Sequence, residues 1–225
     1  MGAFRDSKAS QRPYVTMSAA MTLDGKITTR SGDSNISSPT DLKRLHKLRT
    51  HVDAVMIGSV TQLSDNPLLT VRRVRGRNPT RIVIDSAART PSDSKILTVK
   101  GATIIAVSAK APQSRVQKLQ MAGAKIVQCG TNHVNLKALM PRLRDLGIRT
   151  VLLEGGGGLN WHMLENNLVD ELRITIAPFL VGGETAKTLV EGVGVGRMSQ
   201  AIKLSLKSTT RNKNEMILGY KVNGF

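Results

Sequence analysis

Leu152-Leu153-Glu154-Gly155-Gly156-Gly157-Gly158-Leu159-Asn160-Trp161 is the stretch on which the reading of the fold turns. An apolar run, Thr150 to Leu153, predicts a buried strand that delivers a carboxylate, Glu154, and then four glycines. An amphipathic segment from Leu159 to Leu168 follows at once. The order is strand, turn without side chains, helix N-terminus. Missing Cβ atoms let a ligand approach the backbone, and the first N–H groups of a helix are donors in a positive dipole field. A phosphate or pyrophosphate suits such a turn. A glycine-rich turn with no ligand is the weaker reading, because four glycines lose backbone entropy on ordering and bring no packing in return.

The stretch departs from two common nucleotide fingerprints. A Rossmann turn needs G-x-G-x-x-G and an acidic residue about 20 positions later, and Asn160 stands where the third glycine belongs. A P-loop closes on Gly-Lys-Ser/Thr, which Leu159-Asn160 is not. Working outward, Tyr14 to Ala20, Val52 to Ile57, Arg81 to Ile84, Thr103 to Val107, Lys125 to Gln128 and Glu171 to Ile176 read as strands. Ser38-Pro39-Thr40-Asp41 opens a helix whose apolar stripe is Leu42, Leu45 and Leu48. Further helices are predicted over Ser114 to Ala122 and Leu136 to Leu146, and a loop over Gly58 to Thr70 with turn chemistry at Asp65-Asn66-Pro67. Two β-rich runs, Leu204 to Thr210 and Glu215 to Val222, flank Arg211-Asn212-Lys213-Asn214, a hairpin signal.

Strands alternating with helices predict a three-layer α/β fold with a mainly parallel central sheet, and the C-terminal hairpin adds antiparallel edge strands. Residues 1–12 read as a disordered tail and 13–225 as a single domain, without linker or repeat. Ligands in such sheets sit beyond the carboxyl ends of the strands. That rule gathers Gly58 and Thr61, Asp85 and Ser86, and Glu154 to Gly158 around one expected cleft.

At 225 residues and 40% hydrophobic content, the chain can bury a sizeable core. No apolar run approaches the about 20 residues that span a bilayer, and the polar start lacks a signal-peptide pattern, so a membrane is set aside. Cys129 is the only cysteine, which rules out an intrachain disulfide and fits a reducing cytoplasm. His46, His51, His133 and His162 show no metal-ligand spacing, so no metal is expected. The net charge of +17 raises nucleic acid as a partner, but 3% aromatic residues supply little base stacking. The basic residues are dispersed and read as a solvated surface.

Several motifs occur in order: Met21-Thr22-Leu23-Asp24-Gly25-Lys26, the Leu48-Arg49 helix end, Asp65-Asn66-Pro67-Leu68-Leu69-Thr70-Val71-Arg72, Arg81-Ile82-Val83-Ile84-Asp85-Ser86, Leu153-Glu154-Gly155-Gly156-Gly157, and Leu168-Val169-Asp170-Glu171 with Ala177-Pro178. In this set, which runs from about Tyr14 to Val222, the chain resembles the pyrimidine reductases of riboflavin biosynthesis. Their fold is dihydrofolate-reductase-like, and the stand-alone archaeal type is the nearest pattern. The resemblance implies NADPH-dependent reduction, with NADH as a possible substitute. The ribosylamino group of 2,5-diamino-6-ribosylamino-4(3H)-pyrimidinone 5′-phosphate would become a ribitylamino group. It also implies a homodimer, with Ile202, Leu204, Leu206, Ile217 and Leu218 of the hairpin as apolar contact positions. The bifunctional bacterial type carries an N-terminal deaminase domain with His and Cys metal ligands, a pattern not found here.

By this resemblance, cofactor binding falls to Ala20, Thr61, Asp65, Ser86, Gly155, Gly156, Gly157 and Gly158, and substrate binding to Ser34, Arg49, Leu69, Arg72 and Glu154. Arg49 and Arg72 suit the 5′-phosphate as permanently charged forks; outside the motifs they would read as solvated surface arginines. No residue is fixed as proton donor; Glu154 and Asp24 are the candidates. Glu154 is otherwise a strand-end carboxylate, and Asp24 otherwise a turn residue in Asp-Gly. Asn66 departs from the family's Asp-Asp-Pro, which weakens a role for that position and leaves Asp65 intact. Competing readings are a reductase of the deaminated uracil analogue or of a pteridine, and a basic nucleic-acid-binding protein without catalysis.

Overall fold

The computed structural model describes residues 11–224, so all but the end of the expected tail lies outside the described residues. In chain order the strands are β1 (Tyr14–Thr22), β2 (Ala54–Gly58), β3 (Thr80–Ile84), β4 (Thr103–Val107), β5 (Lys125–Gln128), β6 (Thr150–Leu153), β7 (Glu171–Ala177), β8 (Lys203–Asn212) and β9 (Glu215–Gly224). The helices are α1 (Pro39–Arg49), α2 (Ser59–Asp65), α3 (Lys95–Thr98), α4 (Gln113–Met121), α5 (Leu136–Asp145) and α6 (Gly157–Glu165). The described residues form two compact units: residues 11–14 with His46–Leu152, and Val15–Leu45 with residues 153–224.

In the first unit the strands run in the order β5-β4-β3-β2-β6, and β2/β3, β3/β4 and β4/β5 pair in parallel. β4 and β6 are buried at every residue, as strands covered on both faces must be. Leu139, Met140 and Leu143 of α5 are fully buried, each contributing about 1.5–3 kcal/mol of hydrophobic stabilisation. Asp53 fixes the start of β2 against β6: its Oδ2 accepts from Arg149 N and Thr150 N at 2.9 Å and from Thr150 Oγ1 at 3.0 Å. Arg81 is 1% exposed and donates to Thr103 Oγ1, Val99 O and Gly101 O, pinning the turn before β4. Burial of its guanidinium lowers its pKa.

In the second unit β1 pairs in parallel with β7, and β7, β9 and β8 follow antiparallel. The mixed α/β arrangement, parallel with an antiparallel edge hairpin, is the one the sequence pattern predicts. Lys213-Asn214 makes a two-residue hairpin turn with Lys213 left-handed at φ +54°. Ser38 caps α1, its Oγ accepting from Asp41 N at 3.1 Å, and donates to Glu215 Oε2 at 2.8 Å. Asp41, 2% exposed, accepts from Thr175 Oγ1 at 2.7 Å and from Arg44 Nε at 2.9 Å.

Three local expectations change. The segment expected as a loop over Gly58 to Thr70 holds α2: Asp65-Asn66-Pro67 ends a helix, with Asn66 left-handed (φ 40°) as its C-cap. Helix α6 begins at Gly157 rather than Leu159, because extended Gly156 is its N-cap and the last two glycines are already helical. The buried side of α1 is only partly the leucine stripe. Leu48 is buried and Leu42 and Leu45 are half-buried, whereas Asp41, His46 and Arg49 are buried and satisfied by hydrogen bonds.

Candidate active site

In the first unit, Arg49 ends α1 and is 7% exposed, so it is not the solvated surface residue that arginine usually is. Its Nη1 donates to Thr70 O at 3.0 Å. Exposed Arg72 donates from Nη1 to Thr70 Oγ1 at 2.8 Å. Two permanent cations thus meet at one threonine. Leu69, just before it, is 2% exposed and left-handed at φ +51°, a conformation that costs a non-glycine residue about 1–2 kcal/mol. Its burial and the bonds to Thr70 hold the bend. Arg49, Leu69 and Arg72, three expected substrate residues, are therefore brought together around Thr70, which the sequence reading quoted only as part of a motif. His46 is a further member: its Nδ1 accepts from Arg72 N at 2.8 Å.

The other first-unit residues follow strand ends. Thr61 is half-buried on α2; Asp65 closes that helix, exposed, and accepts from Ser64 Oγ at 2.5 Å. Asn66 Oδ1 accepts from Lys95 N at 2.9 Å, which gives this side chain a structural bond. Asp85, fully buried at the end of β3, accepts from Thr90 N at 2.7 Å and Thr90 Oγ1 at 2.8 Å, which folds the loop back beside Ser86. Ser86 Oγ accepts from Val134 N at 3.0 Å and keeps its own proton to donate.

In the second unit the glycine turn separates into distinct positions. Gly155 is left-handed at φ +87°, and a Cβ there would meet the Asn160 amide at 3.2 Å. A Cβ on Gly157 would lie 2.5 Å from Thr188 O and 2.7 Å from Glu191 Cγ, so this glycine is required by the fold itself. A Cβ on Gly158 would meet nothing within 4 Å. Gly158 thus presents open backbone in the first turn of α6, where helix N–H groups have no intrahelical acceptors. The turn is braced by residues 188–191: Glu191 N donates to Gly157 O at 3.1 Å and Asn160 Nδ2 to Leu189 O at 2.8 Å. That brace carries no sequence motif.

Glu154 is half-buried at the end of β6. Ala20 is half-buried on β1, opposite Thr175 in the β7 register. Ser34 is exposed, its carbonyl accepting from Ile36 N at 2.8 Å. Asp24 is exposed and anchors a loop. Thr22 Oγ1 donates to its Oδ1 at 2.6 Å, Gly182 N to its Oδ2 at 2.7 Å and Val181 N to its Oδ1 at 3.2 Å. The Thr22 hydroxyl above all, then the Gly182 N–H, holds the carboxyl at a pKa of about 2. It is ionised at neutral pH and has no proton to give.

Comparison with known proteins bears on these arrangements. A family model, the RibD C-terminal domain, matches residues 13–218. A 2,5-diamino-6-ribosylamino-4(3H)-pyrimidinone 5′-phosphate reductase of Methanothermobacter thermautotrophicus is 48% identical over 216 residues, covering 95% of this chain and 100% of that one. Among solved structures, Acinetobacter baumannii RibD superposes with a TM-score of 0.80 at 24% identity; the match covers 96% of this chain and 59% of that one. A dihydrofolate reductase of Enterococcus faecalis complexed with NADP(H) matches at a TM-score of 0.52 and 13% identity, over 93% of this chain and 96% of that one. The last two likenesses are of fold, which is dihydrofolate-reductase-like.

Proposed function

The chain belongs to the RibD C-terminal domain family, and from that membership we propose that it is the NADPH-dependent reductase of 2,5-diamino-6-ribosylamino-4(3H)-pyrimidinone 5′-phosphate. It is an oxidoreductase of riboflavin biosynthesis, and its cofactor is a nicotinamide. The observation that carries the substrate reading is the meeting of Arg49 and Arg72 at Thr70. A phosphomonoester needs fixed cationic donors, and a buried guanidinium held by a main-chain carbonyl is already oriented for one. Leu69, buried immediately before Thr70, is assigned to the substrate with them, and Ser34 and Glu154 are assigned to the polar sugar and pyrimidine edge.

The open space at Gly158 fits a pyrophosphate, because a Cβ there would meet no protein atom within 4 Å and the first turn of α6 supplies N–H donors beside it. Gly155, Gly156 and Gly157 shape that turn, and Ala20, Thr61, Asp65 and Ser86 are assigned to the rest of the cofactor. Bound nicotinamide supplies the hydride that C1′ of the ribosyl group receives. The protein's part is to bind two anionic molecules and align them, a positioning task worth several kcal/mol. Asp24, ionised and spent on Thr22, Val181 and Gly182, serves as a loop anchor, which leaves Glu154 as the carboxyl candidate for proton handling.

The proposed assembly is a homodimer. All of β8 but Asn212 is exposed, with Leu204 at 42% and Leu206 at 56%, an edge that natural sheets cover or pair. Among the described residues no helix is long and apolar enough to cross a membrane. The substrate reading is tested by following NADPH oxidation with the diaminopyrimidinone and with its deaminated uracil analogue, each with and without its 5′-phosphate. Turnover confined to the phosphorylated diaminopyrimidinone is expected. Preference for the uracil would reassign the substrate, and activity indifferent to the phosphate would remove Arg49 and Arg72 from the site.

A further inference from the structure

His46 has no metal-ligand spacing in the sequence and no part in the reaction as described above, yet it is 2% exposed. It lies one helical turn before Arg49, so the two side chains share a face of α1. Its Nδ1 accepts the Arg72 main-chain N–H at 2.8 Å. A ring nitrogen that accepts carries no proton, so the ring is neutral with its proton on Nε2.

What this bond holds is a stretch without sheet support. Val71 and Arg72 lie outside any strand, and each gives its N–H to a side chain: Val71 to Asn78 Oδ1 at 2.7 Å, Arg72 to His46. The bond therefore sets where the Arg72 side chain begins. From there that side chain reaches back to Thr70 Oγ1, while Thr70 O takes Arg49 Nη1. His46, Arg72, Thr70 and Arg49 form a ring closed by the helix, and two members, His46 and Thr70, bring no charge of their own.

We infer that His46 is a positioning residue for the phosphate subsite: its unprotonated Nδ1 holds the Arg72 main chain so that Arg72 and Arg49 take the oxygens of one anion together. This rests on the assignment of Arg49 and Arg72 to the substrate's 5′-phosphate. Both ends of the anion clamp then depend on α1, Arg49 directly and Arg72 through His46.

The test compares the full-length variants H46L, H46N, H46Q, R49Q and R72Q. Leucine fills space without an acceptor. An asparagine amide oxygen falls where Nδ1 stands, whereas a glutamine amide reaches toward the Nε2 position. The readouts are KM and kcat for phosphorylated and dephosphorylated substrate, NADPH affinity and melting temperature. H46L should raise KM for the phosphorylated substrate about 3- to 10-fold, the loss expected of one neutral hydrogen bond, with kcat and NADPH affinity held. Discrimination for the phosphate should shrink with it, and H46N should restore most of what H46L loses. If R49Q and R72Q lose discrimination while H46L keeps it, the role of His46 is overturned and the phosphate assignment stands. If R49Q and R72Q keep it, the assignment fails and the His46 role with it. Should H46L not fold, equal loss in H46N and H46Q overturns the proposal.

Discussion

Gly157 and Gly158 are adjacent, and the structure predicts opposite outcomes for the same substitution at each. In Gly157→Ala the new methyl would lie 2.5 Å from Thr188 O, a backbone atom, and 2.7 Å from Glu191 Cγ. Residues 188–191 must shift, at a cost of about 1–3 kcal/mol for overpacking. In Gly158→Ala the methyl enters open space. Helix propensity then favours alanine by up to about 1 kcal/mol. At about 2–4 °C for each kcal/mol in a chain of this size, Gly157→Ala should melt several degrees below the parent and Gly158→Ala at or slightly above it. Cofactor binding should divide them differently. If oxygens of the pyrophosphate approach the backbone at Gly158, the methyl takes their place and costs one charge-assisted hydrogen bond, about 1.5–3 kcal/mol, or roughly 10- to 150-fold in Kd. Gly158→Ala should therefore be the stable variant that binds NADPH poorly. Melting curves with and without NADPH, alongside titration calorimetry, read both quantities. A Gly158→Ala protein that binds NADPH like the parent refutes the close approach, and a Gly157→Ala protein of undiminished stability refutes the packing argument.

Replacing Arg49 or Arg72 by Gln should raise KM for the phosphorylated substrate roughly 10- to 150-fold, for the loss of a charge-assisted contact of about 1.5–3 kcal/mol. Lys118→Gln, on α4, should change little, and equal effects in all three would mean a diffuse basic field in place of a clamp. Asp24 has a folded-state pKa of about 2, below its unfolded value, so its stabilising contribution is complete above about pH 4 and lost as pH falls through about 2. The stability gap between the parent and Asp24→Asn should accordingly close in acid denaturation between those limits; a constant gap would show that the charge is not what anchors the loop. Leu206→Glu on the exposed β8 should convert the proposed dimer to monomer in sedimentation, and an unchanged dimer would place the interface elsewhere.

The strands were legible because a parallel strand buried on both faces is a near-continuous aliphatic run. Thr103–Val107 and Thr150–Leu153, both buried throughout, have the bounds that the sequence predicts. Helix α2 was not, because Asp65-Asn66-Pro67 reads equally well as the middle of a loop and as the end of a helix, and only the left-handed Asn66 decides. At the candidate site, the motifs brought the two arginines forward, but not their state. Burial of Arg49 depends on Thr70 O, a main-chain acceptor that no residue type announces. His46 left one usable signal, its place three residues before Arg49 on a helix, where the two share a face. The four glycines read alike in sequence; their difference lies in what stands opposite each Cα, which is long-range information.

Residues 186–192 show why that long-range information matters most in the second unit. Thr188 O and Glu191 stand against Gly157, Asn160 binds Leu189 O, and Glu191 N binds Gly157 O. The same segment reaches the loop after β1: Ile27 N donates to Lys187 O at 2.8 Å, Lys26 Nζ to Ala186 O at 3.2 Å and Leu189 N to Gly25 O at 3.3 Å. Asp24 holds the segment's approach through Val181 and Gly182. One irregular strap therefore supports both the glycine turn and the Asp24-Gly25 loop, with its own backbone groups as the fastening. Nothing in its composition marks it, since main-chain hydrogen bonding is blind to side-chain identity. The Asp-Gly pair that sequence reading weighs between turn and pocket is thus tied to the glycine turn without having to touch a ligand, and a change at Asp24 reaches that turn through the strap.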